Sequence, residues 1–167
     1  RISPTVRWLA VPEDRLTGYS QSVDPCYNYT ILNDQWRSTN NTNTQDLHCD
    51  QSINWQGWYR LFLGSSDARI PERCIDTNRC GTHAPLWITQ PHPTQPGETV
   101  TRTVCNNWSG SCCQFPSHTI QVKLCHGNYY VYKLERPSMC HLAYCAGIWE
   151  TAKHERFLDK VCVFSIV

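Results

Sequence analysis

The stretch Asn106-Asn107-Trp108-Ser109-Gly110-Ser111-Cys112-Cys113-Gln114-Phe115 places two cysteines side by side. A relaxed disulfide cannot join them to each other. Bridged residues hold their Cα atoms about 4.4–6.8 Å apart, whereas neighbours across a trans peptide sit at about 3.8 Å. Three readings are open at this point: a metal site, a strained redox pair, or two thiols that leave in different directions for different partners. Which one holds decides the fold.

The rest of the chain narrows the choice. Eleven cysteines occur in 167 residues; ten lie between Cys26 and Cys145, and Cys162 stands alone. That density marks a disulfide scaffold, and an even number is what paired bridges require. The aliphatic stock is thin, since Leu, Ile, Val and Phe supply only 34 residues. The chain is nevertheless weakly charged, with net charge +1, and carries seven Trp and eight Tyr. A modest core helped by aromatic rings and covalent staples follows. Each bridge stabilises by roughly 2–4 kcal/mol, chiefly by restricting the unfolded chain. Disulfides on this scale imply an extracellular or cell-surface location.

Other classes find little support. Zinc sites show paired ligands such as C-x2-C, but the closest spacings here are Cys74-x5-Cys80, Cys105-x6-Cys112 and Cys140-x4-Cys145. His48, His126 and His141 each adjoin a cysteine, without the spacing of a ligand pair, and no metal or other cofactor is expected. No G-x-S-x-G elbow or C-x-x-C redox motif occurs, so no catalytic residue is nominated. Near-zero charge without a basic run gives no footprint for nucleic acid. No apolar stretch reaches the roughly 18 residues of a membrane span. The chain begins at Arg1 without an apolar leader, and reads as a piece of a longer secreted precursor.

Local patterning is that of an all-β domain. Gly57–Gly64 is a strand-like run bounded by glycines, and Thr99–Val104 alternates β-branched and polar residues. Thr119–Leu124 places Ile120, Val122 and Leu124 on one face, His126-Gly127-Asn128 reads as a turn, and Tyr129–Leu134 returns as the second arm of a hairpin. Pro91, Pro93 and Pro96 mark a long loop. Residues 1–23 read as a flank, 24–146 as one module, and 147–167 as a second flank, in which Trp149–Val161 has the spacing of a short amphipathic helix.

Three N-x-[ST] sequons, at Asn28, Asn40 and Asn107, are candidate glycosylation sites. Asn40 lies in the polar run Ser38–Gln45, expected to be an exposed loop; Asn107 sits in a crowded stretch beside Trp108 and three cysteines. Trp36, Trp55, Trp58, Trp87 and Trp108 could line a sugar- or protein-binding face. In so aliphatic-poor a domain, Trp58 and Trp87 are expected in the core instead.

Seven blocks in order then carry a resemblance: DPCYNYTILNDQWRS (Asp24–Ser38), GWYRLFL (Gly57–Leu63), CGTHAPLWI (Cys80–Ile88), HP (His92–Pro93), WSGSCC (Trp108–Cys113), IQVKLCHGNYYVYKL (Ile120–Leu134) and CHLAYC (Cys140–Cys145). Over about Asp24–Ala146 the chain resembles the cysteine-rich decoy module, of the eight- or ten-cysteine type, of the uromodulin-like family. The same module type is found in zymogen-granule membrane glycoproteins and in proteins with von Willebrand type D and EGF domains. The resemblance implies a non-catalytic, mostly β, extracellular glycoprotein module beside EGF-like, zona pellucida or von Willebrand type domains. It implies glycan display or recognition, with decoy binding of microbial adhesins as the partner interaction. The alternative is direct carbohydrate or protein binding through an aromatic-lined surface. The family pairing would join Cys26 to Cys125, Cys49 to Cys140, Cys74 to Cys112, Cys80 to Cys145 and Cys105 to Cys113. On an extended strand the two thiols of the doublet would then leave from opposite faces. One departure matters: Lys133 stands where the family carries its decoy glycan, so any display here uses Asn28, Asn40 or Asn107. Cys162 has no family partner.

Overall fold

The computed structural model describes residues 23–114 and 118–148. The expected C-terminal helix and Cys162 lie outside them. Among the described residues ten strands form one sheet: β1 (Thr30–Leu32), β2 (Tyr59–Leu63), β3 (Ser66–Arg69), β4 (Ala84–Ile88), β5 (Thr99–Trp108), β6 (Ser111–Cys112), β7 (Thr119–Cys125), β8 (Tyr129–Lys133), β9 (Leu142–Tyr144) and β10 (Gly147–Ile148). Their order is β10-β3-β2-β8-β7-β5-β4-β9, with β1 added in parallel to β2 and β6 antiparallel to β5. The helical content described is two short 3-10 turns, Gln35–Arg37 and Asp50–Ser52. The class is all-β and disulfide-rich, as composition and patterning indicate.

Side-chain alternation explains the layering. Tyr59, Leu61 and Leu63 of β2, Ile120, Val122 and Leu124 of β7, and Tyr130 and Tyr132 of β8 face one cluster with Leu86, Ile88, Val104, Leu142 and Tyr144. Fully burying such a side chain is worth roughly 1.5–3 kcal/mol. The β7–β8 hairpin pairs Gln121 with Lys133 through Cys125 with Tyr129. Its turn needs left-handed backbone, which Gly127 (φ +102°) and Asn128 (φ +62°) supply; glycine and asparagine bear that conformation at least cost. Gly147 and Ile148, placed in the flank by sequence, pair with Arg69 and Ala68 of β3.

Two expectations are refined. Trp58 and Trp87 are half-buried and pack on small satellite clusters, Trp58 against Cys26, Cys125 and Val131, Trp87 against Ile75, Cys80 and Cys145. The large rings of the main core are tyrosines, whose hydroxyls find internal partners as buried phenols must. The extended run expected through the cysteine doublet ends at Cys112. Cys113 turns to φ +62° and donates its N–H to Asn106 O at 2.6 Å, so the chain folds back toward β5 instead of continuing outward.

Five disulfides tie these elements: Cys26–Cys125, Cys49–Cys140, Cys74–Cys112, Cys80–Cys145 and Cys105–Cys113. Four of the five close loops of 38 to 99 residues, the spans for which restriction of the unfolded chain is greatest.

Candidate functional site

A buried ion pair sits behind the surface. Arg37 grips Asp50 with both nitrogens of its fork, Nη1 to Oδ2 at 2.7 Å and Nη2 to Oδ1 at 2.8 Å, and both side chains are at most 1% exposed. A bidentate guanidinium–carboxylate contact is among the strongest polar contacts available. Its remaining capacity is used: Arg37 donates to Asp34 (3.0 Å) and to Tyr144 O (3.2 Å), and Asp50 Oδ2 accepts the Tyr144 N–H (2.8 Å). Trp36 is sandwiched between the guanidinium, 4.0 Å from its ring centre, and the His48 imidazole, also at 4.0 Å. This ties the Gln35–Arg37 turn to β9, and so fixes where the loop after it leaves the surface.

That loop carries Asn40. Thr39 N–H donates to Ala146 O at 3.0 Å, and Asn41 Nδ2 to Trp36 O at 2.8 Å. Asn41 and Asn43 each accept a backbone N–H two residues on, at 2.9 Å, successive turns of the kind short polar side chains favour. Asn40 and Thr42 are exposed on this ordered loop.

Asn28 is positioned differently. Asp24 accepts the Cys26 N–H and the Lys123 ammonium, each at 2.9 Å; these contacts, the backbone one first, hold its carboxyl below the usual carboxylate range. Tyr27 and Asn28 donate their N–H groups back to Asp24 O and Pro25 O. The Cys26–Cys125 bridge then pins this turn to the end of β7. Asn28 is exposed, between Tyr27, which is 80% exposed, and half-buried Tyr29.

Asn107 is the opposite case. It is 5% exposed, and its Nδ2, the atom a glycan would need, donates to Ile75 O at 2.9 Å. Its neighbour Trp108 is 37% exposed.

The structure does not gather the five tryptophans on one face. Trp36 lies in the Arg37–His48 sandwich. Trp55 meets Tyr59 and Tyr144 edge-on and donates to Asp50 O at 3.1 Å. The aromatic face that does form is one the sequence reading missed. Arg60 lies 3.8 Å from the Tyr129 ring, 4.8 Å from Phe62 and 5.8 Å from Tyr29, and donates to Asp67 at 2.9 Å. The signal was present: Arg60 and Phe62 occupy the outward positions of a strand whose inward positions are apolar.

One interior array has the look of acid–base chemistry. His92 Nδ1 contacts Glu72 Oε1, and His92 Nε2 meets the Tyr132 hydroxyl at 2.8 Å. Burial lowers the imidazole's pKa, with Glu72 opposing. Burial alone would raise the Glu72 carboxyl, but bonds from the His92 backbone and ring bring it below its ordinary value. The array ends at Tyr132, which is 0% exposed, burial pushes its phenol far up, and its oxygen accepts the Ile70 N–H at 3.3 Å. It ties the 89–98 loop to β8, with the His92 ring and the Tyr132 hydroxyl both buried. Among the described residues no three His, Cys, Asp or Glu side chains converge to hold a metal ion, and no helix is long and apolar enough to cross a membrane.

Comparison with known proteins gives this scaffold its relatives. The chain is 45% identical over 140 residues to the pancreatic secretory granule membrane major glycoprotein GP2 of Canis lupus familiaris, covering 82% of the chain and 26% of that protein. It is 39% identical over 139 residues to GP2 of Homo sapiens, covering 83% and 25%. With uromodulin of Mus musculus it shares 43% over 142 residues, covering 84% and 21%. The chain thus spans about a quarter of the length of the curated relatives it matches. Five disulfides and these relatives make it an extracellular or cell-surface module. The family model for the uromodulin-like eight-cysteine domain matches residues 59–146, more than half of the chain, which therefore belongs to the uromodulin-like cysteine-rich domain family.

Proposed function

We propose that this chain is a non-catalytic glycoprotein module that presents N-glycans on a rigid, disulfide-tied scaffold for recognition, including decoy capture of microbial adhesins. Asp24–Ala146 forms the module, and it works beside EGF-like, zona pellucida or von Willebrand type domains of a longer protein. The observation that carries the reading is the contrast among the sequons. Asn28 and Asn40 stand exposed on turns anchored to the core, whereas the Asn107 amide nitrogen is spent on Ile75 O. Glycans therefore sit on Asn28 and Asn40, and Asn107 serves the fold. Lys133, exposed at the end of β8, holds no sequon and takes no part.

The test is glycopeptide mapping of the chain secreted from animal cells, followed by capture of a mannose-specific fimbrial adhesin. Occupied Asn28 and Asn40, with capture lost in Asn28→Gln/Asn40→Gln, supports the reading. Capture that survives complete enzymatic removal of the glycans refutes it.

A further inference from the structure

A second surface lies where two disulfide-tied segments face each other. A cleft of about 240 Å³ opens between two segments: the loop holding Thr77, Asn78 and His83, and the β5–β6 turn holding Trp108 and Ser109. The walls are joined at their base. The Cys74–Cys112 disulfide ties one segment to the other, and the Asn107 amide donates across to Ile75 O. Each wall is also fixed from within. Asn78 N–H donates to His83 O at 3.1 Å, and the two side chains meet at 2.9 Å, His83 Nδ1 to Asn78 Oδ1. Asn78 (φ +59°) and Ser109 (φ +51°) both take left-handed backbone, which asparagine bears at low cost and serine seldom adopts.

The chemistry of the lining selects a ligand class. None of the five side chains carries a carboxylate, ammonium or guanidinium group, so nothing in the cleft answers a charged ligand. Because His83 Nδ1 donates to Asn78 Oδ1, its Nε2 is left as an acceptor and the Asn78 amide nitrogen as a donor. The Thr77 and Ser109 hydroxyls both donate and accept. Against this polar rim stands the partly exposed Trp108 ring. A flat apolar surface beside several small neutral donors and acceptors complements a pyranose, which has one face of C–H bonds and a rim of hydroxyls. An extended peptide would ask for a free strand edge, but Trp108 is already paired with Ser111.

We propose that the Thr77–Asn78–His83–Trp108–Ser109 cleft is a binding subsite for one neutral monosaccharide unit of a glycan. The sugar ring lies on Trp108, and its hydroxyls reach His83 Nε2, the Asn78 amide and the two side-chain hydroxyls. The site is independent of the chain's own glycans. Its small area sets a single-sugar Kd in the millimolar range, since only the few contacts above offset the cost of immobilising the ligand.

The test uses the whole 167-residue chain, ¹⁵N-labelled and treated with a peptide N-glycosidase so that its own sugars are absent. Methyl α-mannopyranoside, methyl β-galactopyranoside and N-acetylglucosamine are titrated at tens of millimolar, with glycerol and a neutral hexapeptide as controls. At least one sugar shifts the Trp108 indole N–H and the Asn78 and Ser109 amides saturably, and the controls do not. Trp108→Ala and His83→Ala each weaken that binding about tenfold or more. Thr77→Val, which preserves shape, weakens it about threefold and guards against misfolding of the larger truncations. Overturning results are no saturable shift with any of the three sugars, a shift centred elsewhere, tighter binding of the peptide, or binding unchanged in Trp108→Ala and His83→Ala. Because the sample is deglycosylated, none of these outcomes depends on whether Asn28 or Asn40 displays a glycan.

Discussion

Replacing Arg37 by methionine tests how the scaffold is held. The substitution keeps much of the side chain's volume and removes the fork that grips Asp50. Asp50 is 0% exposed, so its carboxylate would stay out of water with one bond to that group left, the Tyr144 N–H on Oδ2. Breaking a buried pair in this way costs about 3–5 kcal/mol. Asp50→Leu alone should cost a similar amount, since it strands the guanidinium between Asp34 and Tyr144 O and leaves the Tyr144 N–H unpaired. The double variant Arg37→Met/Asp50→Leu leaves no buried charge unpaired, and Asp34, 38% exposed, turns to water. Its main remaining penalty is the orphaned Tyr144 N–H, about 1–3 kcal/mol. The two single losses should therefore greatly exceed the double loss, with a coupling of several kcal/mol. Urea unfolding with the disulfides intact is the assay, because the cross-linked unfolded state is then common to all four proteins. Single variants within about 1 kcal/mol of the parent, or a double variant equal to the sum of the singles, would refute the reasoning.

Acid should destabilise the fold from the histidine range downward. Burial holds the His92 and His118 imidazoles below their ordinary value of 6.5, so the unfolded chain takes up protons first; stability is full above that value and falls as pH drops through it toward the native values. Glu72, lowered from 4.5, adds a second loss below that pH. His118→Gln should flatten the first decline in denaturation curves collected from about pH 8 to 5; an unchanged slope would argue against it. Gly81→Ala should cost about 1–3 kcal/mol, because φ is +60° and the new Cβ would lie 3.0 Å from both His48 Cδ2 and Trp36 Cε3. Gly97→Ala, at φ +86° with nothing within 4 Å, should cost less in the same thermal melts; equal losses would remove the packing part of the argument. Among bridge deletions, Cys26→Ser/Cys125→Ser opens a separation of 99 residues and Cys105→Ser/Cys113→Ser one of 8. Chain entropy then predicts losses of about 4–5 and about 2–3 kcal/mol respectively, an order that equilibrium unfolding would confirm or reverse.

Much of the scaffold was legible in the sequence because its signals are local. Alternation in Thr119–Leu124 and Tyr129–Leu134 gives the β7–β8 hairpin, the glycine-bounded run gives β2, and the ten clustered cysteines give the disulfide-rich class. The pairing of those cysteines was not readable from spacing and entered only through the resemblance. What escaped depends on contacts remote in sequence. Nothing local in the sequence sets Arg37 and Asp50 apart from other charges, because the contact that buries them joins residues 13 apart. Asn107 read as a crowded sequon, yet its amide spans to Ile75, 32 residues away. Trp108 was one of five aromatic candidates, and only the folding of the Thr77–His83 loop against the β5–β6 turn sets it apart. The doublet's geometry also needed the structure, since a left-handed residue at Cys113 is invisible to a pattern of period two.

Covalent cross-links between distant segments hold the surface on which Asn28 and Asn40 stand. Peptide mapping of the secreted, unreduced chain by mass spectrometry tests it most directly. Linked peptides are expected for Cys26–Cys125, Cys49–Cys140, Cys74–Cys112, Cys80–Cys145 and Cys105–Cys113, with glycan on Asn28 and Asn40 and none on Asn107. Free thiols among those ten cysteines in folded protein, or a glycan on Asn107 of a fully bridged molecule, would contradict it.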